Sequence, residues 1–129
     1  TTLMQMSAPD MAGPIRWALT AGEHDAAVAP TFDPAELTNL RFSPVDSTRF
    51  PFVDLGFEVI RKGGGAGCVL NAADEVCVQA FLDGRLPYLE VYHHVAEAVD
   101  RFGHHAPSSL TDILELDIAV REDVANRFS

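Results

Sequence analysis

Val69-Leu70-Asn71-Ala72-Ala73-Asp74-Glu75-Val76-Cys77-Val78-Gln79-Ala80-Phe81-Leu82 carries its apolar residues at helical spacing. Val69, Ala73, Val76, Cys77, Ala80 and Phe81 form one stripe, the pattern of a helix with one buried side. Gly84 stops it, because glycine takes the left-handed conformation of a helix end at little cost. Upstream, a helical period runs from Asp46, with Val53, Gly56, Phe57 and Ile60 on one face, and Gly63-Gly64-Gly65 ends it.

Downstream, Pro87 opens a third helix with Val91, Val95, Ala98 and Phe102 in register, stopped by Gly103. Ser109-Leu110-Thr111-Asp112 resembles a capping box, with Asp in place of the usual Glu or Gln. The last stretch is expected to bury Ile113, Leu116, Val120, Val124 and Phe128. Three long helices and a final helical segment, joined by short loops, predict a mainly α protein ending in an antiparallel helical bundle.

The residues before the bundle read differently. Thr1 to Met6 is β-tolerant and is expected to be a strand that pairs outside itself. A turn at Ser7-Ala8-Pro9-Asp10 leads to a helix around Pro14 that runs to Thr20 and holds Trp17 as a packing residue. Residues 21–46 are punctuated by Gly22, Pro30, Pro34 and Pro44 and read as a linker. Within it, Asp33-Pro34-Ala35-Glu36 predicts one short helical turn and Leu40-Arg41-Phe42 a brief strand. The chain opens on Thr1 rather than Met, so further residues are expected upstream.

A chain of 129 residues is one ordinary domain in size. Its net charge of −10 repels phosphate backbones and anionic lipid surfaces, which argues against nucleic acid and membrane partners. No apolar run reaches the roughly 20 residues of a membrane helix, and no basic-then-apolar leader is visible. Cys68 and Cys77 are nine positions apart and are read as reduced packing thiols of a cytoplasmic protein.

Motifs with chemical potential are few. Gly63-Gly64-Gly65-Ala66-Gly67 lacks the Lys-Ser/Thr of a phosphate loop, follows a helix rather than a strand, and reads as a connector. His93-His94 and His104-His105 are adjacent pairs, which diverge on a helix. They leave open a small metal site between His94 and the His104-His105 loop, or a self-standing interaction module. Asp74-Glu75 and Glu115-Asp117 are carboxylate clusters, the first pair being explained by a helix dipole. No nucleophile elbow is present. Read from the residues alone, the chain names no reaction.

Four segments, in order, resemble one family. Ala8-Pro9-Asp10-Met11-Ala12-Gly13-Pro14-Ile15 is similar to the signature A/S-P-D-M-x-x-P-I of the 1-deoxy-D-xylulose 5-phosphate reductoisomerases. Leu40-Arg41-Phe42 and Arg49-Phe50-Pro51 resemble the family's L-x-F and R-[FY]-P landmarks. Val69 to Val76 followed by Ala80-Phe81-Leu82 resembles its L-N-A-A-N-E-x-x-V-x-A-F-L helix, with Asp74 where Asn is usual. Ala12 stands where Arg is common.

The resemblance implies that residues 1–20 end a central α/β catalytic domain, that 21–46 are a linker, and that 47–129 are a C-terminal helical bundle. It implies a parent enzyme that rearranges and reduces its substrate with NADPH and Mg2+ or Mn2+. No catalytic or metal-binding residue is expected in this portion. The resemblance places Pro9 and Met11 near the nicotinamide, gives Asn71 a structural capping role, and implies as partners the rest of the enzyme chain and a second copy in a homodimer. This portion alone is expected to be inactive and to hold no cofactor.

Overall fold

The computed structural model describes residues 11–20 and 41–128. The chain divides into two compact units, Thr1–Ser43 and Pro44–Ser129. The expected strand at Thr1 to Met6 and the short turn at Asp33-Pro34 lie outside the described residues. In the first unit, helix α1 spans Ala12–Leu19. Pro14 sits in its first turn, where a missing N–H costs no hydrogen bond. Thr20 closes it, its backbone N–H and hydroxyl both donating to the Arg16 carbonyl. Trp17 is in α1 as expected, but it is 56% exposed rather than packed. Arg41 and Phe42 are in no strand, contrary to expectation.

The second unit contains four helices: α2 (Pro51–Lys62), α3 (Ala66–Leu82), α4 (Tyr88–Phe102) and α5 (Leu110–Ala125), with a closing 3-10 turn at Asn126–Phe128. Among the described residues there is no strand. The helical period predicted from Asp46 begins later, at Pro51. The Asp46 carboxylate accepts from the Thr48 and Arg49 amides and its carbonyl from Phe50, so the chain turns there before proline starts the helix.

α3 is the central helix and packs on α2, α4 and α5. Val69, Ala72, Ala73, Cys77 and Ala80 are fully buried along it. Most of these are small, so three neighbours can approach one helix closely. Val91, Val95, Ala98 and Val99 of α4 and Leu116, Val120 and Val124 of α5 complete the core. Directions follow from cross-contacts. Gly65, before α3, donates to the His105 carbonyl just past α4, which makes those two antiparallel. Cys68 meets Ile113 and Glu75 meets Arg121, so α3 and α5 run in the same sense.

Two expected core faces are corrected. On α2 the bundle takes Leu55 and Val59, while Val53, Phe57 and Ile60 face outward. Leu55 and Val59 are one turn apart on the side of the apolar arc that α3 and α4 can reach. On α5, Ile113 is 40% exposed because it sits at the margin of the buried stripe, and Phe128 is only half-buried in the 3-10 turn.

The helix ends follow their local chemistry. Gly63 and Gly64 have φ of 65° and 53°, the left-handed region that favours glycine. Ser109 and Asp112 form a complete capping box: the Ser hydroxyl accepts from the Asp112 amide and the Asp carboxylate accepts from the Ser109 amide.

Candidate functional site

The polar side chains of the bundle are gathered into ion networks across helix pairs. Arg121 of α5 donates Nη2 to Glu75 of α3 at 2.8 Å and Nε to Asp117, one turn back, at 2.7 Å. Asn71 adds a 3.0 Å hydrogen bond to Glu75. Arg121 thereby holds the Glu75 carboxyl below its ordinary range, with Asn71 assisting, and is itself raised by Asp117 and Glu75. A second network joins α4 to α5: Arg127 bridges Glu97 and Asp123, and Arg101 reaches Asp123 at 2.8 Å.

Between α3, α5 and the 3-10 turn runs an open groove of about 510 Å³, lined by Glu75, Val76, Gln79, Arg85, Arg121 and Phe128. Its cations are already engaged. Arg85 is held by Asp83 at 2.8 Å and Arg121 by two carboxylates.

The residues singled out by sequence divide as follows. Asn71 lies within α3, exposed, and bonds Glu75 rather than capping the helix. Asp74 and Glu75 are well past the first turn of α3, so a helix-dipole explanation fails for both. Asp74 is instead a half-buried carboxyl whose pKa is raised by burial and then by the neighbouring Glu75 charge. The glycine connector holds for Gly63–Gly65, whereas Ala66 and Gly67 already belong to α3; a Cβ on Gly65 would lie 2.6 Å from Leu116 Cδ2 and 3.1 Å from the His105 carbonyl oxygen, so the α4–α5 loop packs closely there.

The His104 and His105 rings lie 4.6 Å apart, and His94 is engaged elsewhere. His94 packs edge-on against Phe128 with ring centroids 4.9 Å apart, and its Nδ1 is buried without a hydrogen-bond partner. His105 stacks on Phe102, its Nδ1 within 2.8 Å of the Phe102 carbonyl oxygen. Among the described residues no group of three or more His, Cys, Asp or Glu side chains is arranged to hold a metal ion. The carboxylates have other partners, too: Glu75 and Asp117 share Arg121, Asp123 lies between Arg101 and Arg127, and Asp112 is closed on Ser108 and Ser109. A hard divalent cation, which wants several free oxygens, does not fit these sets.

Pro9 lies outside the described residues. Met11 immediately precedes α1 and is 70% exposed, its carbonyl accepting from Ile15. An exposed thioether can meet a flat ring. Both cysteines are free thiols. Cys77 is buried, which pushes its thiol up to about 11, and Cys68 is half-buried and also raised by burial.

Fold and polar architecture together define a class: a four-helix domain in which several charged side chains tie its own helices together. Comparison with known proteins places it more narrowly. The family described as the DXP reductoisomerase C-terminal domain matches residues 6–123. The chain belongs to that family.

The 1-deoxy-D-xylulose 5-phosphate reductoisomerase of Solibacter usitatus is 42% identical over 117 residues, covering 91% of this chain and 30% of that protein. That of Thermodesulfovibrio yellowstonii is 40% identical over 122 residues, covering 95% of this chain and 32% of its own length. Among solved structures, the Zymomonas mobilis enzyme in complex with NADPH superposes with a TM-score of 0.76 and 32% identity, over 100% of this chain and 34% of that one. The chain therefore spans about a third of the length of the relatives it matches. No helix among the described residues is long and apolar enough to cross a membrane.

Proposed function

We propose that this chain is the helical support of an NADPH- and divalent-cation-dependent reductoisomerase that converts 1-deoxy-D-xylulose 5-phosphate to 2-C-methyl-D-erythritol 4-phosphate in non-mevalonate isoprenoid biosynthesis. In this reading the portion is inactive alone, works joined to the rest of a cytoplasmic enzyme chain, and takes part in a homodimer. Residues 1–20 end the catalytic domain, 21–46 link, and 47–129 form the bundle. Pro9 and Met11 bring an apolar turn against the nicotinamide ring. The dinucleotide phosphates and the cation are held by the remaining two thirds.

One observation carries the reading. The match to the reductoisomerases runs over 91% of this chain but only 30% of the first relative. The chemistry of a hydride transfer with a hard cation needs a dinucleotide cradle and free oxygen ligands, whereas Glu75, Asp117, Asp123 and Asp112 are taken up by arginines and serines.

The test has two arms. The 129-residue chain, incubated with NADPH, the deoxyxylulose phosphate and Mg2+, is expected to consume no NADPH. Turnover in a preparation free of host enzyme would refute its inactivity. The same chain grafted in place of the last third of the Solibacter usitatus enzyme is expected to support turnover. A folded, inactive graft would count against the supporting role.

A further inference from the structure

We propose that Asp83–Gly84 is a latent site of spontaneous modification, where aspartate converts to isoaspartate by ring closure on the Gly84 nitrogen, and that Gln79 and Arg85 form the clasp that keeps it closed.

Asp83-Gly84 is the one Asp-Gly step in the sequence. The chemistry is general to aspartyl bonds. The main-chain nitrogen of the next residue attacks the side-chain Cγ, the Cγ–OH bond breaks, and water leaves with the proton from nitrogen. The resulting succinimide ring then takes up water at either carbonyl. Opening at the main-chain carbonyl leaves the chain joined through Cγ, which is isoaspartate; opening at the other restores aspartate. Oxidants and cofactors take no part. A following glycine eases the attack, because it has no Cβ to crowd the nitrogen.

The step lies in the loop between α3 and α4, and the Asp83 side chain is 41% exposed, so burial does not protect it. Local hydrogen bonds do. Both carboxylate oxygens are taken: Gln79 Nε2 donates to Oδ1 at 2.8 Å from the last turn of α3, and Arg85 Nη2 donates to Oδ2 at 2.8 Å. Arg85, with Gln79 assisting, also holds the carboxyl below its ordinary range, which depletes the acid form from which water leaves.

The nucleophile is engaged as well. The Gly84 N–H donates to the Phe81 carbonyl at 3.0 Å. Ring closure must bring that nitrogen level with Cβ, which requires the Asp83 ψ to turn well away from its −2°. The turn resists this. Gly84 is fixed at a φ of 73°, and the Arg85 and Leu86 amides both donate to the Ala80 carbonyl, at 2.9 and 3.2 Å.

Isoaspartate would add one carbon to the main chain inside this turn. Leu86 is 6% exposed and seats the loop in the core, and α4 begins just after it. A longer turn has to give up the paired bonds on Ala80 or the Leu86 seat.

The test follows isoaspartate at Asp83 by electron-transfer fragmentation of peptides from the 129-residue chain, incubated native and in urea at neutral pH. The native chain is expected to accumulate it about tenfold more slowly than the unfolded one, since closure waits on local opening. Gln79→Met with Arg85→Met is expected to speed the native reaction by about fivefold. Leu116→Ala, which weakens the core beside Gly65 at the far end of α3, should leave the native rate unchanged. Asp83→Glu, whose ring would need a sixth member, should give no isomer in either state.

Equal rates in the native and unfolded chains overturn the proposal, since nothing is then held closed. So does a clasp variant that keeps the parent's rate. A Leu116→Ala chain as fast as the clasp variant is equally fatal, because the protection then belongs to the fold as a whole. If the double variant does not fold, exposed Gln79→Met alone gives the readout, and an unchanged rate there also ends the idea.

Discussion

Arg121 and Glu75 join the last helix to the central one, Nη2 to Oε2 at 2.8 Å, while the same guanidinium holds Asp117 one turn away on its own helix. One side chain thus couples a local pair to a tertiary contact. Exposed pairs contribute little singly, and a network in which one arginine bridges two carboxylates contributes more.

Arg121→Met should therefore lower Tm by a few degrees and no more, with the loss shrinking in high salt. The Glu75 pKa is depressed from its ordinary 4.5, so this contribution is present above that pH and is lost as pH falls through the lower folded value. Thermal melts of both proteins from pH 7 down to pH 3 should converge on the acid side. A gap that is constant with pH would show that packing of the arginine stem, not its charge, is what matters.

Asp74→Asn is expected to act in the opposite direction. The Asp74 carboxyl is raised above its ordinary 3.8 by burial, so the folded state disfavours its ionised form at neutral pH. The penalty is absent below pH 3.8 and fully developed above the folded pKa. Denaturant midpoints at pH 7 should be higher for the Asn variant, with the advantage disappearing in acid. No gain at pH 7 would mean that the carboxylate has found compensation from water.

Ser109→Ala removes one half of the capping box and should cost about 1 kcal/mol in urea unfolding. Asp112, the other half, is held down to about 2 by hydrogen bonds from Ser109 and Ser108. Its depressed pKa makes the contribution present above the ordinary 3.8 and lost only as pH falls through about 2. Amide exchange in the first turn of α5 should stay slow at pH 3 in the parent and become fast in Ser109→Ala.

Gly65→Ala and Gly67→Ala form a matched pair. The first puts a methyl into Leu116 and the His105 carbonyl, and should cost about 1–3 kcal/mol as an overpacking change. The second enters open space inside α3 and should stabilise by about 0.5–1 kcal/mol. Equal effects in equilibrium unfolding would contradict the close packing of the α4–α5 loop on the start of α3.

Much of the bundle could be read in the residues because its signals are local. Glycines at 63, 64 and 84 do take left-handed backbone, and the Ser109–Asp112 spacing gives a complete cap. The stripes of α3 and α4 are buried largely as their spacing implies, apart from Phe81, which is 40% exposed at the end of α3. The α2 face was misread for a physical reason. Spacing says which residues share a side but not which side a neighbour reaches, and α2 is apolar over more than one side.

Asp117–Arg121 and Asp123–Arg127 are both four apart, the interval that places charges together on a helix, whereas their links to other helices have no signature in the sequence. No cap side chain marks the start of α3, so the sequence around Asn71 and Asp74 does not reveal that the helix begins at Ala66. The family could be recognised from short ordered motifs, whereas the residues alone named no reaction, since their polar chemistry is spent within the fold.

The depth at which Cys77 lies gives the molecule an internal timekeeper. Its sulfur is sealed within the core and its proton is held up to about 11 by burial, while Cys68 lies nearer the surface. A maleimide pulse therefore marks the native protein at one thiol at most, and a second mark accumulates only as the core opens, at the rate of opening. Mass spectrometry of the doubly labelled species would follow unfolding without any added probe.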